Sequence, residues 1–209
     1  MDGVLVDTEP LNDIHLVFYL KSLGVNPPKT IGEQFRGSST KIVWETLKKE
    51  YQLESTLEEL IVDSRKSYLN FLKMSKHLRA VPGVAKLVKE LSQRKLKLVV
   101  ASSASKKRIR TLIKIVELHK YFPIVVSSDE VKNGKPAPDI FLAAAQRLNI
   151  APVNCLVIED STHGIKAAKA AGMKCIGFAG LTYNKQNLKQ ADIVIKNFQE
   201  VTFEKLQSM

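Results

Sequence analysis

Four stretches put chemically capable side chains directly beside short apolar runs. In "VVASSAS", Ser102 and Ser103 bring hydroxyls and main-chain N–H groups just ahead of a helical pattern. A helix start of that kind binds anions, and the same serines would serve equally as helix caps. In "NGKPAPD", Lys135 sits between Gly134 and Pro136. The nearby prolines stiffen the backbone, so Lys135 is either a fixed cation or a surface turn residue. "VIEDS" ends an apolar run with Glu159 and Asp160 side by side. Adjacent carboxylates at a buried strand end repel each other unless a cation joins them, and hard oxygen donors suit Mg²⁺. Capping of the next helix is an alternative for Asp160 but leaves Glu159 unexplained. The fourth stretch is "MDGVLVDTEP", where Asp2 precedes a glycine and an apolar run that reaches Asp7.

The elements that must position these groups are legible in the second half. Short β-branched or apolar runs fall at 96–102, 124–128, 155–160, 175–179 and 192–196, and helical patterns at 105–118, 138–149 and 162–172 separate the first four. Alternation of this kind predicts βαβ units and a parallel sheet. Continuous rather than alternating apolar runs predict strands covered on both faces. Ligands of such sheets bind beyond the carboxyl ends of the strands, where the candidate residues lie. Residues 9–80 have no strand pattern. "LNDIHLVFYLKSLG" has helical spacing and ends at Gly24, a C-terminal cap. "STKIVWETLKKEY" opens on helix caps, and "STLEELIVDSRKSYLNFLK" offers capping boxes from Ser55 to Glu58 or from Thr56 to Glu59. An all-helical insert follows, with "VPGV" marking the return to the α/β part and a helix over 83–94. The expected domains are therefore a core of 1–8 and 81–209 and an insert of 9–80.

Composition narrows the class. A chain of 209 residues, 44% hydrophobic, fits one core with a small insert. It has no apolar window long enough for a membrane span and no secretion signal. Cys155 and Cys175 lie in apolar stretches and read as buried thiols of a cytoplasmic protein. The net charge of +11 comes from lysines spread along helices, which argues against nucleic acid. A positive field would steer phosphorylated small molecules inward. A monomer is expected, with no membrane partner.

Acid, hydroxyl, lysine and acid pair, in that order and each at a strand end, resemble the haloacid dehalogenase-like superfamily. "MDGVLVDTEP", "VVASSAS", "GKPAPDIF" and "VIEDSTHGIKAAKAAGM" look like its branch of β-phosphoglucomutases and small sugar-phosphate phosphatases. The resemblance spans nearly the whole chain and implies a Rossmann-like core with a helical cap inserted after the first motif. It implies that Lys135 and Ser102 bind the transferring phosphoryl oxygens, that Asp160 ligates Mg²⁺, and that Glu159 assists. It makes Asp2 the second aspartate of an Asp-x-Asp pair, which protonates the leaving oxygen, activates water and gives its carbonyl to the metal. This division suits phosphoryl transfer, which needs positioning and charge neutralisation, with a carboxylate nucleophile and a carboxyl proton shuttle.

Met1 then occupies the middle of Asp-x-Asp, and the nucleophilic aspartate is expected immediately before it. So is the central strand that delivers it. Without that strand, main-chain groups on two neighbouring strands lose partners at about 1–3 kcal/mol each, against a domain stability of about 5–15 kcal/mol. The expectation is a chain that extends upstream and is inactive as it stands.

Six residues in cap positions are expected to face the substrate: Thr8, at the junction with the insert, and Asn12, Arg36, Thr40, Lys41 and Lys66. β-Phosphoglucomutases carry a histidine where Asn12 falls and an arginine near Thr40. Both departures favour a phosphatase acting on a small sugar phosphate over a hexose phosphomutase. A non-catalytic phosphate- or partner-binding relative is the reading from another class.

Overall fold

The computed structural model describes residues 1–35, 40–75 and 78–209. The chain divides into two compact units, Thr8–His77 and Met1–Asp7 with Leu78–Met209.

The first unit is helical: α1 (Glu9–Ser22), α2 (Thr40–Glu50) and α3 (Leu57–Met74). Pro10 is tolerated in the first turn of α1, where N–H groups have no helical partner. Gly24, at φ +80°, ends that helix by donating to the Lys21 carbonyl at 3.0 Å. Of the two possible capping boxes, the one from Thr56 to Glu59 forms. The Glu59 N–H donates to the Thr56 hydroxyl at 3.2 Å, and the Thr56 N–H donates to Glu59 Oε2 at 2.8 Å. Tyr19, Leu20, Ile31, Trp44, Leu47 and Leu60 form the core of this unit.

The second unit carries α4 (Val84–Gln93), β1 (Val99–Ser102), α5 (Lys106–Ile115), β2 (Ile124–Ser127), α6 (Asp139–Leu148), β3 (Leu156–Glu159), α7 (Thr162–Ala170), β4 (Lys174–Phe178), β5 (Ile193–Ile195) and α8 (Phe203–Gln207). Every ladder is parallel. β1 pairs with β2 from Val99↔Ile124 to Ser102↔Ser127, β3 with β4 from Leu156↔Lys174 to Glu159↔Gly177, and β4 with β5. The strands form two sheets, β1–β2 and β3–β4–β5. The facing edges, β1 and β3, border an apolar cleft of about 540 Å³.

Cys175 is buried as expected, whereas Cys155 is partly exposed; both thiols are free. Among the described residues, no helix is long and apolar enough to cross a membrane.

Candidate active site

The N-terminal turn anchors the site. The Met1 carbonyl accepts from the Leu5 N–H at 2.8 Å, and Gly3, at φ +72°, donates to the Val6 carbonyl at 2.8 Å. Val6 bridges Ala80 and the Leu5 carbonyl accepts from the Val81 N–H, so the turn is tied to the return segment. A Cβ on Gly3 would overlap the Asp160 carboxylate, so only glycine lets the backbone approach so closely. Asp2 accepts a 2.8 Å hydrogen bond and ion pair from Arg108 of α5. The sequence reading did not single out Arg108, because it is one basic residue in the run "KKRIR".

Ser102 closes β1 and is buried; its hydroxyl accepts from the Ala104 N–H at 3.2 Å. The Ser103 carbonyl accepts from the Ser128 hydroxyl at 2.7 Å. Ser105, not Ser102 or Ser103, caps α5, accepting from the Arg108 N–H at 3.4 Å. The capping alternative for the serine pair therefore falls away.

Lys135 is not a surface turn residue. It forms a buried ion pair with Glu159, and its ammonium lies 4.8 Å from the Phe141 ring centre. The other Glu159 oxygen accepts from the N–H groups of Asp160 and Ser161, at 3.0 and 3.1 Å, and from the Ser161 hydroxyl at 2.9 Å. Burial pushes the Glu159 carboxyl up, but the charge of Lys135, with the hydrogen bonds from Lys135 and the Ser161 hydroxyl, holds it below its ordinary value. Gly164 makes room, because a Cβ there would overlap the Glu159 carboxylate.

Ser161 caps α7, accepting from the Gly164 N–H at 3.0 Å, so Asp160 is not a helix cap. Burial and the Glu159 charge push the Asp160 carboxyl up to about 7. Asn184 donates to the Asp160 carbonyl at 2.8 Å and to its carboxylate at 3.2 Å. Next to it, Tyr183 donates to Asp7. This loop is held to α7 by Thr162, whose hydroxyl donates to the Asn187 carbonyl at 3.1 Å. The loop has no periodicity or motif in the sequence, so Tyr183 and Asn184 carried no signal there.

Among the described residues, no three His, Cys, Asp or Glu side chains converge on one point. The acidic donors are the adjacent pair Glu159 and Asp160, with the Asp2–Gly3 turn against Asp160. Of the residues expected to face substrate, Thr8, Asn12, Thr40, Lys41 and Lys66 belong to the helical unit. There Asn12 bonds Glu9 at 3.5 Å and Lys41 pairs with Glu45 at 3.7 Å in an exposed contact. Lys66 lines a pocket within that unit beside Leu11, Phe18 and Phe71. Arg36 lies outside the described residues.

Residues 1–178 match the model of the haloacid dehalogenase-like hydrolases. A bifunctional riboflavin kinase/FMN phosphatase of Arabidopsis thaliana is 32% identical over 98% of this chain, and the chain spans 54% of that relative. A phosphorylated carbohydrates phosphatase of Thermotoga maritima is 32% identical over 84% of this chain and 81% of the relative. A crystal structure of a candidate β-phosphoglucomutase from Thermotoga maritima has a TM-score of 0.84 at 28% identity, covering 100% of this chain and 96% of that one.

Proposed function

Because the chain belongs to the haloacid dehalogenase-like hydrolases, we propose that it hydrolyses a small phosphorylated metabolite, a sugar phosphate, in an Mg²⁺-dependent reaction. The carrying observation is the buried cluster of Lys135, Glu159 and Asp160 at the end of β3, which brings a cation and two carboxylates to one strand end.

The donor set fits Mg²⁺, which takes one or two carboxylates, keeps several waters and uses substrate phosphate oxygens as ligands. Asp160 is a buried carboxyl whose ionised form is disfavoured by Glu159, so a cation beside it relieves that cost. Asp160 and the Asp2 carbonyl would hold the ion, with Glu159 assisting. Bound there, Mg²⁺ would neutralise charge on the phosphoryl oxygens.

The other roles follow from the side chains present. The Lys135 ammonium has three donors; one is given to Glu159 and the others remain for phosphoryl oxygens. The Ser102 hydroxyl and the N–H groups of its turn bind a further oxygen. An aspartate at the position preceding Met1 would attack phosphorus as the bond to the leaving oxygen breaks, and Asp2 would give that oxygen a proton. Water would then release phosphate, returning its proton to Asp2. The Arg108 pairing favours the ionised Asp2 that takes the proton from water, and Asp2 would leave Arg108 for the half in which it carries the proton. The helical unit would act as a cap that excludes water, contributing Thr8, Asn12, Arg36, Lys41 and Lys66 to substrate selection.

The likeness to a candidate β-phosphoglucomutase supports a hexose phosphomutase as the second reading. A panel of sugar phosphates, assayed for free phosphate and for isomerised product with Mg²⁺ and with EDTA, separates the two. Mg²⁺-dependent free phosphate is expected. Isomerisation without net phosphate release would instead establish the mutase.

A further inference from the structure

A loop that belongs to no sequence motif reaches the acid pair. It runs from Tyr183 to Asn187, after β4, and docks on the start of α7. Thr162 is the first residue of that helix, where main-chain N–H groups have no helical partner. The Thr162 N–H donates to Gln186 Oε1 at 3.2 Å. Its hydroxyl donates to the Asn187 carbonyl at 3.1 Å and accepts from the Asn187 N–H at 3.0 Å. The next residue, Leu188, is buried in the same core cluster as Ile165 and Cys175. At the other end, the Tyr183 hydroxyl donates to Asp7. The loop is pinned at both ends.

Asn184 stands between these anchors. The two ends of an amide are told apart by their hydrogen-bond partners. The Gln186 N–H can only donate, and it meets Asn184 Oδ1 at 3.0 Å. The NH₂ end therefore faces Asp160. It donates to the Asp160 carbonyl at 2.8 Å and to Oδ2 of the carboxylate at 3.2 Å. One amide thus grips the main chain and the side chain of a single residue, which opposes rotation of that carboxylate. A Cβ on Gly3 would lie nearer to Oδ2 than to Oδ1, so the oxygen that Asn184 holds is also the one that the Asp2–Gly3 turn crowds. Closing the loop does not require this grip, because Thr162 and Tyr183 already close it.

We propose that Asn184 is a positioning residue for the metal site, holding the Asp160 carboxylate by Oδ2 so that Oδ1 is left for Mg²⁺. This role rests on the reading of Asp160 as an Mg²⁺ ligand. The neighbouring Glu159 carboxylate repels an ionised Asp160, and a side chain free to turn would swing away from it. The Asn184 donors oppose that turn before any ion arrives. Mg²⁺ demands near-ideal octahedral geometry, whereas Ca²⁺ accepts flexible sites and bidentate carboxylates. A fixed rotamer therefore favours Mg²⁺ and does little for Ca²⁺. Asn184 sets selectivity between the two ions as well as affinity.

The test is calorimetric titration of the 209-residue chain with Mg²⁺ and, separately, with Ca²⁺. Asn184→Leu keeps the shape of the side chain and removes its donors. Mg²⁺ affinity should fall about 10–100-fold, as it does when the partner of a metal ligand is lost. Ca²⁺ affinity should fall much less, so the Mg²⁺/Ca²⁺ ratio drops. Asn187→Ala removes the cap on the Lys189 N–H in the same loop and should leave both affinities at the parent values. A second measurement needs no change at Asn184 and stands if the Leu variant does not fold. The Asn184 side-chain NH₂ signals, followed by NMR, should shift when Mg²⁺ is added to the parent and stay in place in Asp160→Asn.

Unchanged Mg²⁺ affinity in N184L, equal losses for Mg²⁺ and Ca²⁺, an equal loss in N187A, or NH₂ signals that ignore Mg²⁺ would each make Asn184 a loop residue only and overturn the positioning role. These outcomes leave the metal reading standing, because the parent still binds Mg²⁺. A parent that binds no Mg²⁺ would overturn that reading, and the role of Asn184 with it.

Discussion

The Lys135 ammonium and the Glu159 carboxylate form an ion pair whose side chains are only 10% and 6% exposed. Removing one member of such a pair leaves an uncompensated buried charge, at about 3–5 kcal/mol. Lys135→Met should lower the urea midpoint by the corresponding amount, and the double variant K135M/E159Q should regain most of it. A K135M variant as stable as the parent would show that the two groups are not coupled.

Asp160 has the opposite balance. Burial and the Glu159 charge raise its carboxyl from 3.8 to about 7. The folded protein therefore holds a proton that the unfolded chain releases, and stability without metal should fall as pH rises across that window. Added Mg²⁺ should remove the fall. Asp160→Asn should flatten the profile, raise Tm at pH 8 in EDTA, and weaken Mg²⁺ binding by calorimetry. Unchanged Mg²⁺ affinity would remove Asp160 from the ligand set.

Two glycines with positive φ give a matched comparison. Gly24 has nothing within 4 Å of its missing Cβ, whereas a Cβ on Gly3 would overlap the Asp160 carboxylate. Gly24→Ala should cost only backbone strain, about 1–2 kcal/mol. Gly3→Ala should cost more, and it alone should alter Mg²⁺ affinity. Equal effects of the two on stability, with Mg²⁺ binding untouched, would contradict the close approach of the turn to Asp160.

In the helical unit, burial lowers His15 from 6.5 to about 4. Its Nε2 lies 3.0 Å from the Ser67 hydroxyl, among Tyr19, Tyr68 and Phe71. The unfolded chain takes up a proton below pH 6.5 that the folded unit resists until about pH 4. Stability of this unit should be complete above 6.5 and fall through that window. Trp44, the sole tryptophan and part of the same core cluster as Tyr19, reports it by fluorescence. His15→Phe should remove the pH dependence; an unchanged slope would assign it to another group.

The strands and helices of the second half were legible because burial on both faces writes itself as continuous apolar runs, "VVAS" and "LVIE" among them. Strand starts were less so. The run at 96–102 begins its strand only at Val99, since an apolar residue beside a strand has the same composition as one within it. Helix α8 was not foreseen, because five residues are too few for a periodic signal. Lys135, Glu159 and Asp160 could be named from the sequence, but not the pairing of Lys135 with Glu159, which joins residues 24 positions apart. Arg108 and Asn184 act on Asp2 and Asp160 across 106 and 24 positions, and neither lies in a motif.

The most direct measurement is phosphate release from sugar phosphates by a chain carrying an apolar strand ending in aspartate ahead of Met1. It is run with Mg²⁺ and with EDTA, beside the same fusion ending in asparagine. Release that needs both Mg²⁺ and the aspartate is the expected result. Equal release by the aspartate fusion, the asparagine fusion and the 209-residue chain, or release undiminished by EDTA, would contradict the proposed reaction.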